Sequence, residues 1–81
     1  MAIMCDIDGT LAYMNGRSPY DWSRVGEDLI NPAIKNLLDI LKDKYLILFI
    51  SGRNEVCREE TNKWLRKNGI PHAPLFMWRK N

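Results

Sequence analysis

Two aspartates separated by a single residue, Asp6 and Asp8, are followed at once by Gly9 and Thr10. They close a short apolar run, Ala2 to Cys5. In an extended strand residues two apart point to one side, so both carboxylates can face one site while Ile7 packs the other way. Gly9 lets the backbone turn sharply, and Thr10 offers a hydroxyl and an N–H beyond the turn. Two carboxylates at the carboxyl end of a strand suit a hard divalent cation such as Mg²⁺, which prefers oxygen ligands. They also suit a division of labour, one carboxylate attacking and the other moving a proton. The plainer reading is a hairpin, since Asp-Gly after a strand is a strong turn signal.

Two further stretches carry chemistry. Ser51-Gly52-Arg53-Asn54 ends the apolar run Tyr45–Ile50. Alone, Ser51 reads more readily as a helix N-cap and Arg53 as a solvated residue at a helix start. Asn15-Gly16-Arg17-Ser18-Pro19-Tyr20-Asp21-Trp22 sets a cation beside two aromatic residues. That combination could contact a phosphate and stack on a base, or Tyr20 and Trp22 could simply anchor a loop to the body.

The elements that must position these residues follow from periodicity and punctuation. Met1 to Asp8 is the first strand and its end. Tyr13 to Ile30 fits neither a helical nor a strand period and reads as a long loop, which in a small domain is usually functional. Asn31-Pro32 starts a helix, and Ile34, Leu37, Leu38 and Leu41 form its apolar face, running to about Asp43. Tyr45–Ile50 is apolar without alternation, as in a parallel strand covered on both faces. A second helix runs from about Asn54 to Asn68 with Cys57, Thr61, Trp64 and Leu65 inward; Gly69 and Pro71 end it. Leu75–Trp78 is a third strand. The order β–loop–α–β–α–β implies right-handed crossovers and a parallel sheet, an α/β fold of three strands. Ligands of such sheets bind outside the carboxyl ends of the strands, where Asp6, Asp8 and Ser51-Gly52-Arg53 converge.

Composition narrows the class. The chain has 81 residues, 46% hydrophobic and 27% charged, with a formal net charge of +2. This fits one globular domain with a small core; the charge is too weak to argue for nucleic acid by itself. No run approaches the ~20 apolar residues of a membrane span, and Met1–Cys5 lacks the basic start of a signal peptide, so a cytoplasmic location is expected. Cys5 and Cys57 are expected as buried thiols. His72 has no partner at metal-ligand spacing.

Asp6-Ile7-Asp8-Gly9-Thr10-Leu11, with a later Ile50-Ser51-Gly52-Arg53, resembles the haloacid dehalogenase (HAD) superfamily of phosphohydrolases, whose first and second motifs these are. Met14-Asn15-Gly16-Arg17-Ser18-Pro19-Tyr20-Asp21-Trp22, followed by Ile30-Asn31-Pro32, narrows the resemblance to the 3′-phosphatase domain of phage-type polynucleotide kinase/phosphatase. It covers nearly the whole chain and implies a single minimal, Rossmann-like HAD domain, 1–81, with a flap or specificity loop over about 12–31. It implies an Mg²⁺-dependent phosphatase that removes 3′-phosphates from nucleic-acid ends, or phosphate from a nucleotide. Asp6 would be the nucleophile and Asp8 the general acid and later base, with Mg²⁺ on the Asp6 carboxylate and the Asp8 carbonyl. Ser51 and the Gly52 N–H would hold phosphoryl oxygens. Gly9, Thr10, Arg17 and Arg53 complete the substrate-binding set.

The family's pattern continues past the third strand with a lysine and an acidic pair. Here Arg79, Lys80 and Asn81 follow Trp78, and no residue after Glu60 is acidic. Two expectations follow. A non-catalytic module that binds phosphate or a partner chain is the alternative to an enzyme. The first strand is also expected at an open sheet edge, inviting self-association or the remainder of a longer chain.

Overall fold

The structure, a computed structural model, describes residues 1–18, 21–70 and 73–78. Five strands, two α-helices and two 3₁₀ turns follow in the order β1 (Ala2–Asp6), β2 (Ala12–Tyr13), η1 (Trp22–Glu27), β3 (Leu29–Ile30), α1 (Pro32–Leu41), β4 (Leu46–Asn54), η2 (Glu55–Cys57), α2 (Arg58–Lys67) and β5 (Leu75–Trp78). β1, β4 and β5 form a parallel sheet in that order, as the element order predicts. β1 therefore lies at an edge of the sheet among the described residues. No described helix is long and apolar enough to cross a membrane.

The register sets Ile3 beside Ile47, and Cys5 beside Phe49 and Leu75, on one face. That face joins Leu38 of α1 and Trp64 and Leu65 of α2 in a single core. The expectation that β4 is covered on both faces is overturned. Met4, Leu46, Ile50 and Phe76 share the opposite face and are exposed. The reason is topological: a sheet extended in one direction by successive crossovers of one hand places both helices on the same side.

Several boundaries move. α1 stops at Leu41, and Leu37 on its expected apolar face is exposed. β4 does not end at Ile50 but runs through Ser51, Gly52 and Arg53 to Asn54, with a register shift against β5 between Ser51 and Asn54. The cap is Asn54, whose side chain accepts from the Val56 N–H at 2.9 Å; α2 proper begins only after η2. Its end is as expected: Gly69 has φ +74°, and the Ile70 N–H reaches the Leu65 carbonyl at 2.9 Å. Pro71 and His72 lie outside the described residues.

The segment expected to be irregular is partly ordered. β2 and β3 pair antiparallel, and Asp21 caps η1 by accepting from the Ser23 N–H. Val25 of η1 is fully buried. An amphipathic period cannot show in elements this short, so this turn gave no signal at the level of the sequence.

Candidate active site

The loop after β1 is built by the backbone. Gly9 has φ +81°, a conformation that favours glycine, and its N–H donates to the Ala12 carbonyl at 2.9 Å. The N–H groups of Thr10, Leu11 and Ala12 all turn in on the Ile7 carbonyl. Asn31 ties this loop to α1: its side chain caps the helix through the Ala33 N–H and donates to the Thr10 carbonyl at 3.0 Å. Ile7 is fully buried while Asp6 is exposed and Asp8 half-buried, the alternation the motif implies.

The two aspartates then part company. Among the described residues the Asp6 carboxylate has no hydrogen bond and no ion pair, and it stands at the end of β1 in solvent. Asp8 is gripped. Ser51 Oγ donates to Asp8 Oδ2 at 3.1 Å and accepts from the Arg53 N–H at 3.0 Å. Arg53 Nε donates to Asp8 Oδ1 at 3.0 Å, with Nη2 also 3.0 Å from that oxygen. Ser51 is therefore no helix cap, and Arg53 is no solvated residue: it is 1% exposed.

A carboxylate the motifs do not contain stands behind this pair. Asp28 follows η1, and its side chain is 1% exposed. Arg17 clasps it with both Nε and Nη2, at 2.8 and 3.0 Å, while Arg53 Nη2 reaches Asp28 Oδ2 at 2.5 Å. Trp64 Nε1 donates to the Asp28 carbonyl at 2.7 Å. Arg17 also comes within 3.9 Å of Asp8. Two guanidiniums and two carboxylates thus balance. Arg17, Arg53 and Asp28 are nearly dry, so that an unpaired charge among them would cost several kcal/mol, while the Asp8 side chain keeps 35% of its surface exposed. No buried side-chain nitrogen or oxygen among the described residues lacks a hydrogen-bond partner. The hydrogen bond to Asp28 raises the Arg17 guanidinium above its ordinary value. Burial works against this shift, and the charges of Asp28 and Asp8 add to it.

The structure therefore brings Asp8, Ser51, Arg53 and Arg17 into one network and leaves Asp6 free at its rim. Gly52 lies exposed in β4, and Thr10 is half-buried in the loop. Arg17 points into the body, held by Asp28. Trp22 opens η1; Tyr20 and Lys80 lie outside the described residues. Asp28 and Thr61 are the residues that motif reading missed. An aspartate in a loop reads as solvated, and only its two arginine partners, distant in sequence, mark it. No described group of three or more His, Cys, Asp or Glu side chains could hold a metal. An unpartnered carboxylate and a backbone carbonyl still fit Mg²⁺, which keeps several waters and takes one or two carboxylates plus substrate oxygens.

A model of the polynucleotide kinase PNKP phosphatase domain matches residues 1–81. The chain is 35% identical over 80 residues to a "putative bifunctional polynucleotide kinase/RNA ligase" of Autographa californica nuclear polyhedrosis virus, covering 94% of this chain and 12% of that protein. It superposes with TM-score 0.93 and 38% identity on a chain of the Pnkp1/Rnl/Hen1 complex, and with 0.92 and 38% on one from the Pnkp1/Rnl/Hen1 RNA repair complex. Each match covers 99% of this chain but only 28% and 26% of those chains. The chain thus spans a small part of the relatives it matches.

Proposed function

The chain belongs to the PNKP phosphatase-domain family of polynucleotide kinases, and from that premise we propose that it is a phosphatase acting on the 3′-phosphate of nucleic-acid ends. The observation that carries the reading is the contrast within the motif, a free Asp6 beside an Asp8 held by Ser51 and Arg53.

Asp6 attacks phosphorus, the bond to the 3′-oxygen breaks, and an aspartyl-phosphate forms. Asp8 gives the leaving oxygen its proton, then takes one from the water that attacks the acyl phosphate, so that phosphate leaves and Asp6 is restored. Ser51 and Arg53 rest on Asp8 and are also the groups suited to phosphoryl oxygens. Arg17 supports this arrangement from behind, through Asp28. Mg²⁺, held by the Asp6 carboxylate and the Asp8 carbonyl, would supply neutralisation of the phosphoryl charge.

The test is phosphate release from oligonucleotides carrying a 3′- or a 5′-phosphate and from a nucleoside monophosphate, with Mg²⁺ and with chelator. The reading requires Mg²⁺-dependent turnover of the 3′-phosphate, lost in Asp6→Asn. Tight binding of the 3′-phosphorylated end without turnover would favour the second reading, a phosphate-binding module. That alternative draws its support from the lack of a third acidic ligand among the described residues.

A further inference from the structure

Helix α2 reaches the cluster at two points one turn apart. Trp64 holds the backbone of Asp28, and Thr61, completely buried, stands under Arg53. Residues three apart on a helix share a face, so one helix face touches both partners of the cluster. Arg53 Nη1 donates to Thr61 Oγ1 at 3.1 Å. The Thr61 hydroxyl proton is directed at Cys57 Sγ, 3.7 Å away, and Cys57 Sγ donates in turn to the Asn54 carbonyl at 3.1 Å. The relay begins on the side chain of Arg53 and ends on the backbone of the next residue. It closes a ring around the place where β4 loses register with β5.

The geometry is more specific than packing requires. A buried mid-helix threonine ordinarily returns its hydroxyl to the carbonyl four residues back; here it goes to the thiol four residues back and offers a lone pair to Arg53. Every other described hydrogen bond of the Arg53 side chain goes to a carboxylate that competes for it, Asp8 or Asp28. Thr61 is the neutral contact, and it sets the rotation of the guanidinium plane between the two.

We propose that Thr61 is a positioning residue for proton transfer: through Arg53 it aims the Asp8 carboxyl at the leaving oxygen, and Cys57 aims Thr61. This rests on the reading that Asp8 protonates the leaving group. Misplacing Asp8 should harm a substrate with a poor leaving group, such as a 3′-phosphorylated oligonucleotide, far more than p-nitrophenyl phosphate, whose leaving group needs no proton. A merely structural role would lower both alike.

The experiment compares kcat/KM on these two substrates for the unaltered chain, Thr61→Val, Thr61→Ser and Cys57→Ala, with the melting temperature of each. Thr61→Val should lose roughly 10–100-fold on the oligonucleotide, the scale of losing a supporting contact behind a site group. Its loss on the aryl phosphate should be clearly smaller, and Thr61→Ser should restore both. Cys57→Ala should show the same selectivity more weakly, and it carries the test if Thr61→Val does not fold. Equal losses on both substrates, or none, overturn the proposal. An unaltered chain inactive on both substrates overturns the reading beneath it, an outcome distinct from either.

Discussion

The molecule hides its charges at one place and shows its apolar side chains at another. At the carboxyl ends of the strands Arg17, Arg53 and Asp28 are all under a tenth exposed; on the bare face of the sheet Met4 is 63%, Leu46 58% and Phe76 55% exposed. Both regions invert the usual distribution, and for different reasons. The charges are buried because each has an opposite partner in good geometry, which makes a rigid frame for Asp8. The apolar face is bare because both helices pack on the other side. One inversion is complete in itself; the other asks for a cover.

Breaking the charged region should have the largest effect. Asp28→Asn leaves two buried guanidiniums against one carboxylate, and removal of one partner from such a group costs roughly 3–5 kcal/mol. Urea unfolding should show a loss of this size, and the phosphatase activity proposed here should vanish with it. A stability unchanged by that substitution would mean the cluster is solvated rather than dry.

Asp8→Asn tests function without removing the frame's centre. It should lower turnover of a 3′-phosphorylated oligonucleotide by about 10²–10⁴-fold, the contribution of general acid–base catalysis, and lower p-nitrophenyl phosphate turnover much less. Equal losses on the two substrates would argue against a proton-transfer role for Asp8.

The bare region can be sharpened in the opposite direction. We expect the 81-residue chain to associate through the β1 edge and the face carrying Met4 and Phe76, or to meet further polypeptide there. Met4→Glu together with Phe76→Glu should therefore lower the mass seen by light scattering at high concentration and leave turnover intact. A chain that is monomeric before and after the change would show that this face needs no partner.

Arg24→Ala makes the smallest change and serves as the contrast. Arg24 also pairs with a carboxylate, Glu27 at 3.1 Å, but both side chains are exposed. Its removal should leave the urea-unfolding midpoint essentially unchanged, because solvent screens an exposed pair, and should not touch activity. A clearly lower midpoint would mean that η1 depends on its own surface pair rather than on Val25 and Asp28.

What could be read directly from the residues was the order of elements and the meeting of two motifs. The Asn31-Pro32 start, the Gly69 stop and the apolar run of β4 are local signals, and strand polarity in an α/β chain follows from the helices between strands. These are enough to place Asp6, Asp8, Ser51 and Arg53 at one end of one sheet. Exposure of the outer sheet face was not legible, because an unbroken apolar run such as Tyr45–Ile50 looks the same whether its second face is covered or bare.

Only the tertiary structure decided how the charges pair. Arg17, Asp28, Arg53 and Thr61 lie on four different elements or loops, with no spacing that links them. An arginine beside turn residues reads as solvated or substrate-facing until the fold supplies a buried carboxylate within reach. Periodicity records which face of an element is apolar, so it is silent about short turns such as η1 and about polar groups whose burial depends on a partner far away in the chain. The sequence determined where the chemistry gathers. The packing of η1 and α2 against the ends of the strands determined which carboxylate is held and which is left free.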